Sequence, residues 1–256
     1  MNAHAIQESD APLPPAQALV LAAGRGERMR PLTDHTPKPL LAVRGQALLA
    51  WHLSALAHGG VRHACINTAW LEEQIPARLG HAWQADGRTL ALSYSMEGRD
   101  FGGALETAGG IARALPQLDE VFWVVAGDVF MPGFAFDPQA MVRFAGSPAL
   151  AHLWLVPNPP HHPKGDFGLD TQGHALNLPP EHPGPRYTYS TVGLYKRALF
   201  RAPLCEIAPG NPQGIKAALG PLLRQAMDHG LVTAEVYVGP WTDVGTPERL
   251  AQLNGE

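Results

Sequence analysis

The stretch LAAGRGERMRPLTDHTPKPL, Leu21 to Leu40, concentrates groups that bind phosphate. Arg25, Arg28, Arg30 and Lys38, with Arg44 just beyond, supply five of the chain's 19 basic residues, and only Glu27 and Asp34 oppose them. Gly24 and Gly26 free the backbone, so that peptide N–H groups can approach an anion closely. Arg28 offers a planar fork of donors that can clamp a phosphate. Lys38 stands between Pro37 and Pro39, whose fixed φ angles preorganise that one ammonium group. The chemistry such a set serves is charge neutralisation around a polyphosphate. Two other phosphate loops are excluded. No GxxxxGK followed by Ser or Thr is present, and GRGERM lacks the third glycine of a dinucleotide fingerprint, with Pro31 stopping any long helix after it.

Further acids and glycines stand in suggestive places. Asp128 follows the apolar run VFWVVAG, and Asp243 lies in WTDVGTPERL, just ahead of a helix start marked by Thr246, Pro247 and Glu248. A turn or capping role accounts for either aspartate taken alone. In ETAGGI, Glu106 to Ile111, the glycines admit either a flat ring against bare backbone or close packing of a helix on a sheet. His161 and His162 are adjacent and precede Pro163, so a loop role or a sugar contact suits them better than zinc.

Elements must position these groups. Gln17–Ala22, Val61–Asn67, Leu90–Ser95 and Val121–Ala126 read as strands, and Ala47–Ala57, Trp70–Leu79 and Glu106–Leu115 as the intervening helices. Such alternation predicts an α/β fold with a mostly parallel sheet wrapped by helices, whose sites lie at the carboxyl ends of the strands. Ala23–Arg30 and Asp128 fall at such ends. The second half is more irregular. His152–Val156, Thr191–Tyr195 and Thr233–Val238 read as strands, Leu219–His229 and Thr246–Leu253 as helices, and 156–163 and 177–185 as proline-rich loops. Residues 1–16 read as a mobile tail ahead of one domain, 17–256.

The string Gly24, Gly26, Arg30, Pro31, Leu32, Thr33, Pro37, Lys38, Pro39 resembles the GxGxRxxPLTxxxPKP motif of the sugar-1-phosphate nucleotidylyltransferases. The resemblance runs from about Gln17 to Leu253. It implies a glycosyltransferase-A-like, Rossmann-like fold and transfer of a nucleoside monophosphate from an NTP to a sugar 1-phosphate, with release of pyrophosphate. It further implies that Leu21, Ala22, Ala23, Gly24, Arg25, Gly26, Glu27, Arg28 and Lys38 hold the nucleotide, with Lys38 and Arg28 acting in catalysis. Thr107 and Gly109 would meet the base, Asp128 and Asp243 would bind Mg²⁺, and Asp166 and Ser190 would face the sugar. The strings NTAWLEEQI (67–75), NPPHHPKGDFGL (158–169) and GPLLRQAM (220–227) are most similar to the uridylyltransferases that use UTP and N-acetylmuramic acid 1-phosphate in peptidoglycan recycling. Three departures stand out: Ala126 where relatives often carry a polar residue, a longer 98–103 loop, and Ala218 where a lysine is expected, the nearest being Lys216. Thymidylyl or guanylyl transfer to glucose, mannose or heptose 1-phosphate therefore stays open, as does a catalytically silent sugar-nucleotide sensor.

Composition narrows the classes. The chain has 256 residues, 45% hydrophobic and 16% charged, which suits a large folded core and argues against disorder. A net charge of −4 opposes a general nucleic-acid binder. Cys65 and Cys205 form no metal-ligand spacing and read as free thiols of a reducing compartment. The N-terminus has no secretory pattern and no apolar run is long enough to span a bilayer, so a soluble cytoplasmic protein is expected.

Overall fold

The computed structural model describes residues 16–179 and 181–255. Segment 1–15, read above as a tail, lies outside them. Ala16, placed with that tail, opens the first strand opposite Val61. From there β1 (Ala16–Leu21) is followed by the short pair β2 (Ala42–Val43) and β3 (Gln46–Ala47), helix α1 (Leu48–His58) and β4 (Val61–Thr68). Helix α2 (Gln74–Leu79) precedes the hairpin of β5 (Ala82–Ala85) and β6 (Arg88–Met96), then α3 (Glu97–Phe101), α4 (Glu106–Ala114) and β7 (Val121–Ala126). The second half runs β8 (Val129–Phe130), α5 (Pro138–Ala145), β9 (Ala151–Val156), β10 (Gly168–Leu169), β11 (Ala175–Leu176), β12 (Thr188–Lys196), α6 (Leu219–Asp228), β13 (Val232–Val236), β14 (Thr242–Asp243) and α7 (Pro247–Asn254).

One eight-stranded sheet passes through both halves in the order β13-β9-β12-β7-β1-β4-β6-β5. Strands β7, β1, β4 and β6 run parallel, and β5 closes one edge antiparallel to β6. Beyond β7 a single strand runs the opposite way: β12 is antiparallel to both β7 and β9, and β13 is parallel to β9. The central strands are buried on both faces, which is why their sequences are nearly continuous apolar runs. Successive residues alternate faces. Leu19 and Val124 pack into the layer under α4 and α6, Val20 and Val125 into the layer on the α1 and α5 side. A third, smaller cluster of Met29, Val43, Leu48, Phe130, Val244 and Leu250 ties the basic loop, β8 and α7 together. That cluster sits behind the basic loop and fixes it to the sheet.

The mostly parallel sheet is the one expected, and the differences are local. Helix α2 starts at Gln74 rather than Trp70, which puts Pro76 in its first turn, where a missing N–H breaks no intrahelical bond. The β5–β6 hairpin turns on Asp86 and Gly87, both at positive φ, a dipeptide that signals such turns. Helix α5 carries its own start signal: Asp137 accepts from the Gln139 and Ala140 amides ahead of Pro138. No helix among the described residues is long and apolar enough to cross a membrane.

Candidate active site

Strand β1 ends at Leu21 at the carboxyl edge of the sheet, and the basic loop begins there. The Ala22 amide donates to Asn67 Oδ1 at 2.7 Å. Gly26 has φ +68, and a Cβ on it would stand 3.0 Å from the Thr33 methyl and 3.2 Å from Lys38 Cβ. Only glycine allows the loop to fold this tightly over its own second half. Thr33 fastens that contact by donating its hydroxyl to the Gly26 carbonyl at 2.9 Å. Among the described residues, the peptide N–H groups from Gly24 to Arg28 have no partner in the protein, as an anion cradle requires.

Lys38 is buried, and its Nζ lies 2.6 Å from Asp128 Oδ2. A buried ammonium is stable only when paired, and Asp128 supplies that pairing across the mouth of β7. The Asp128 side chain is 43% exposed, so the pair faces the open cleft. Asp243 lies on β14, whose rung pairs it with Val129, and the Val244 amide donates to the Asp128 carbonyl at 3.1 Å. Asp243 on β14 thus runs alongside the turn that carries Asp128. Arg249 holds Asp243 Oδ2 at 2.5 Å. His161 Nε2 lies 2.7 Å from Oδ1, yet that buried oxygen has no aligned hydrogen-bond donor.

This donor set fits Mg²⁺. One carboxylate is open to the cleft, and a second has an oxygen without a donor. Among the described residues no three His, Cys, Asp or Glu side chains form a closed metal cluster. An ion held by one or two carboxylates and completed by phosphate oxygens matches such a partial set.

Lys38 and Asp128 stand midway along a cleft of about 810 Å³. On one side its wall is made by Leu21, Ala22, Asn67, Ala104, Glu106 and Thr107. On the other it is made by Asp166, Phe167, Tyr189 and Thr191, with Arg224 of α6, which stacks on Phe167. Ala23, Gly24, Gly26, Glu27 and Arg28 line the stretch between. Asp166 is held in place by the Tyr189 amide, which donates to Oδ2 at 2.8 Å, and by His162 Nε2, 3.1 Å from Oδ1.

Three residues expected at the site lie elsewhere. Arg25 turns away from the cleft: it donates to the Thr33 carbonyl and to Asp34, both at 2.8 Å, and its guanidinium stacks 3.8 Å from the Trp70 ring centre. Asp34 is correspondingly held below the usual carboxylate range by the Arg25 hydrogen bond. Gly109 is pressed against the Ile215 carbonyl, and Asn211 donates to the Gly109 carbonyl at 3.1 Å, so its role is close packing. Asp243, by contrast, stays at the edge of the cleft, between Arg249 and His161 and two residues from Gly245 of the cleft lining. Ser190 is fully buried, its hydroxyl accepting from the Val192 amide at 3.1 Å.

The next residue, Thr191, does line the cleft. It has φ +71, a genuine outlier for a β-branched residue, where β12 and β9 lose register between Tyr189 and Gly193. Its buried Oγ1 has no hydrogen-bond partner. Strain of this kind costs about 1–3 kcal/mol and gathers at functional sites. Thr191 lies beside Ala126, since Val192 pairs with Val125, and brings a hydroxyl where Ala126 offers only a methyl. Nothing in the sequence marks a bulge at this point. Arg224 was also missed. It stacks on Phe167 and donates to Asn177 Oδ1 at 2.9 Å, contacts made across more than 40 residues of chain.

Residues 17–256 match the family model described as nucleotidyl transferase. The chain is 43% identical over 240 residues to the N-acetylmuramate alpha-1-phosphate uridylyltransferase of Neisseria meningitidis serogroup B, covering 92% of this chain and 96% of that protein. It is 30% identical to the N-acetylmuramate alpha-1-phosphate uridylyltransferase of Caulobacter vibrioides, covering 80% and 96%. Among solved structures, a putative glucose-1-phosphate thymidylyltransferase from Bacillus anthracis shares the fold, with a TM-score of 0.75 over 94% of each chain at 21% identity. With its motif loop, its paired lysine and aspartate and its sheet all in place, the chain belongs to the sugar-1-phosphate nucleotidyltransferase family.

Proposed function

We propose that this protein transfers UMP from UTP to N-acetylmuramic acid 1-phosphate, in the Mg²⁺-dependent reuse of peptidoglycan sugar. The observation that carries the chemistry is the Lys38–Asp128 pair at the centre of a cleft with two distinct walls. The uridylyltransferase relatives support the choice of UTP and of the muramic acceptor.

The acceptor's phosphate oxygen is already anionic, so attack on the α-phosphorus requires no general base. What the protein supplies is position and charge balance. The free amides of Gly24 to Arg28 and the Arg28 guanidinium hold the β- and γ-phosphates, which leave as pyrophosphate. Lys38 turns from Asp128 to the reacting phosphates and offsets the charge that builds there. Asp128 and Asp243 would hold Mg²⁺, which when bound polarises the α-phosphate. The Asn67, Ala104 and Thr107 side takes the nucleoside, and the Asp166, Tyr189 and Thr191 side takes the sugar.

The test is pyrophosphate release with Mg²⁺, crossing four NTPs with several sugar 1-phosphates. Turnover confined to UTP and N-acetylmuramic acid 1-phosphate is expected. Preference for dTTP or GTP with a neutral hexose 1-phosphate would overturn the substrate assignment and keep the chemistry. Omitting Mg²⁺ in the presence of a chelator should abolish release.

A further inference from the structure

A buried carboxylate that the phosphate chemistry does not use lies under the nucleoside side of the cleft. Glu97 directly follows β6 and is 0% exposed. Each of its oxygens is held by one donor. Asn67 Nδ2 donates to Oε1 at 2.8 Å, and the Leu105 peptide N–H donates to Oε2 at 2.8 Å. Asn67 Oδ1 in turn accepts the Ala22 peptide N–H at 2.7 Å. One side chain therefore links three separate segments at the cleft: the end of β1, the end of β4 and the turn ahead of α4.

The surroundings are built to keep this link. A Cβ on Gly110 would stand 2.7 Å from Glu97 Oε1 and 2.8 Å from Asn67 Nδ2, so α4 closes over the pair with bare backbone. The turn that Glu97 holds is itself strained, with Glu106 at φ +59. Its neighbours are tied on both sides. The Leu105 carbonyl accepts from Ala217 N at 3.1 Å, and the Ala108 amide donates to the Ala217 carbonyl at 2.8 Å. Burial pushes the Glu97 acid up, while the Leu105 and Asn67 hydrogen bonds pull it back. A buried carboxyl group is costly unless its hydrogen bonds organise something, and what this one organises is the spacing of the cleft wall.

We infer that Glu97 is a positioning residue for the nucleobase end of the site. Through Asn67 and Leu105 it sets the gap between Leu21–Ala22 and Ala104–Thr107, and so governs affinity for UTP without touching the reacting phosphates. The inference rests on the proposal that this cleft takes UTP.

Three variants test it: Glu97→Gln, Asn67→Asp and the two combined. Glu97→Gln sets an amide N–H against the Asn67 amide or the Leu105 N–H. Asn67→Asp sets two carboxylates face to face. The combination restores every bond, because the new amide donates to the new carboxylate and its carbonyl accepts the Leu105 N–H. UTP binding is read by calorimetry without acceptor, and steady-state constants are read with both substrates. Each single variant should weaken UTP binding about tenfold or more, the effect of leaving buried polar groups mispaired. In Glu97→Gln, turnover at saturating UTP and the acceptor KM should stay within about twofold of wild type, and the combined variant should recover UTP affinity to within about threefold. A purely structural role would lower Tm in the single variants and leave UTP affinity unchanged, which would overturn the inference. So would a folded combined variant that keeps weakened UTP binding, and this arm decides the matter if the single variants do not fold. Failure of the wild-type protein to bind UTP would refute the assignment of the cleft itself.

Discussion

On the proposed nucleoside side of the cleft the contributing strands end at the site, whereas on the proposed acceptor side β12 begins there. Strands β1, β4, β6 and β7 deliver Ala22, Asn67, Glu97 and Asp128 at or just past their carboxyl ends. Each lies in or beside a short string that leaves the sheet. The acceptor side is assembled from Tyr189 and Thr191 inside β12, from one face of α6, and from Asp166 in a loop. One reversed strand is enough to change where function is written: in loops after parallel strands on one side, in the middle of elements on the other.

The sharpest way to break this contrast is to remove charges at the strand ends. Lys38→Ala and Asp128→Asn should each lower turnover about 10²-fold or more, the size expected when a transition-state charge partner is lost. Single-turnover measurement of pyrophosphate release checks this, and near-normal rates would remove the pair from the chemistry. On the acceptor side the effects should be smaller and confined to one substrate. Thr191→Gly removes a hydroxyl and relieves a strained φ. The acceptor KM should therefore rise about three- to tenfold, the worth of one hydrogen bond, with the UTP KM unchanged and Tm higher. Loss of both affinities together would show that the two walls are not independent. Ser190→Ala, one residue away, should leave both KM values within about twofold of wild type.

Arg25→Ala sharpens the distinction between binding phosphate and fastening the loop. Turnover should stay within about threefold, and Tm should drop by roughly 2–4 °C, as for a loss near 1 kcal/mol in a chain of this size. A fall as large as that of Lys38→Ala would return Arg25 to the triphosphate. The smallest effect should be common to both halves. His63 on β4 and His152 on β9 are held below the usual histidine range, chiefly by burial. The unfolded chain then binds protons that the folded one refuses. Stability is full above about pH 6.5 and is lost as the pH falls below it. Urea midpoints at pH 8 and pH 5.5 measure that slope, which should flatten in His63→Gln and in His152→Gln.

How much was legible follows from the same contrast. The twenty residues from Leu21 to Leu40 carried the phosphate loop, because glycines, prolines and clustered cations act through local backbone geometry. Even there the string did not tell Arg28, which lines the cleft, from Arg25, which grips Thr33 and Asp34. Side-chain direction depends on where the loop folds back, and no motif records that. Thr191 and Arg224 were silent because their meaning lies in a register shift and in contacts across the fold. The β5–β6 hairpin and α5 are different: Asp86-Gly87 and Asp137-Pro138 carried readable turn and cap signals, and only the apolar pattern was weak there.

The contact between Lys38 and Asp128 has one further consequence, for the order in which ligands can help one another. At rest the two charges cancel within 2.6 Å. A cation that takes Asp128 Oδ2 displaces Lys38, and a phosphate that draws Lys38 away uncovers that oxygen. Each ligand thereby pays to separate the same pair, and whichever arrives second finds it already open. By thermodynamic reciprocity each raises the affinity of the other by the same factor. A single short ion pair would thus couple the two ligands over and above any direct contact between them.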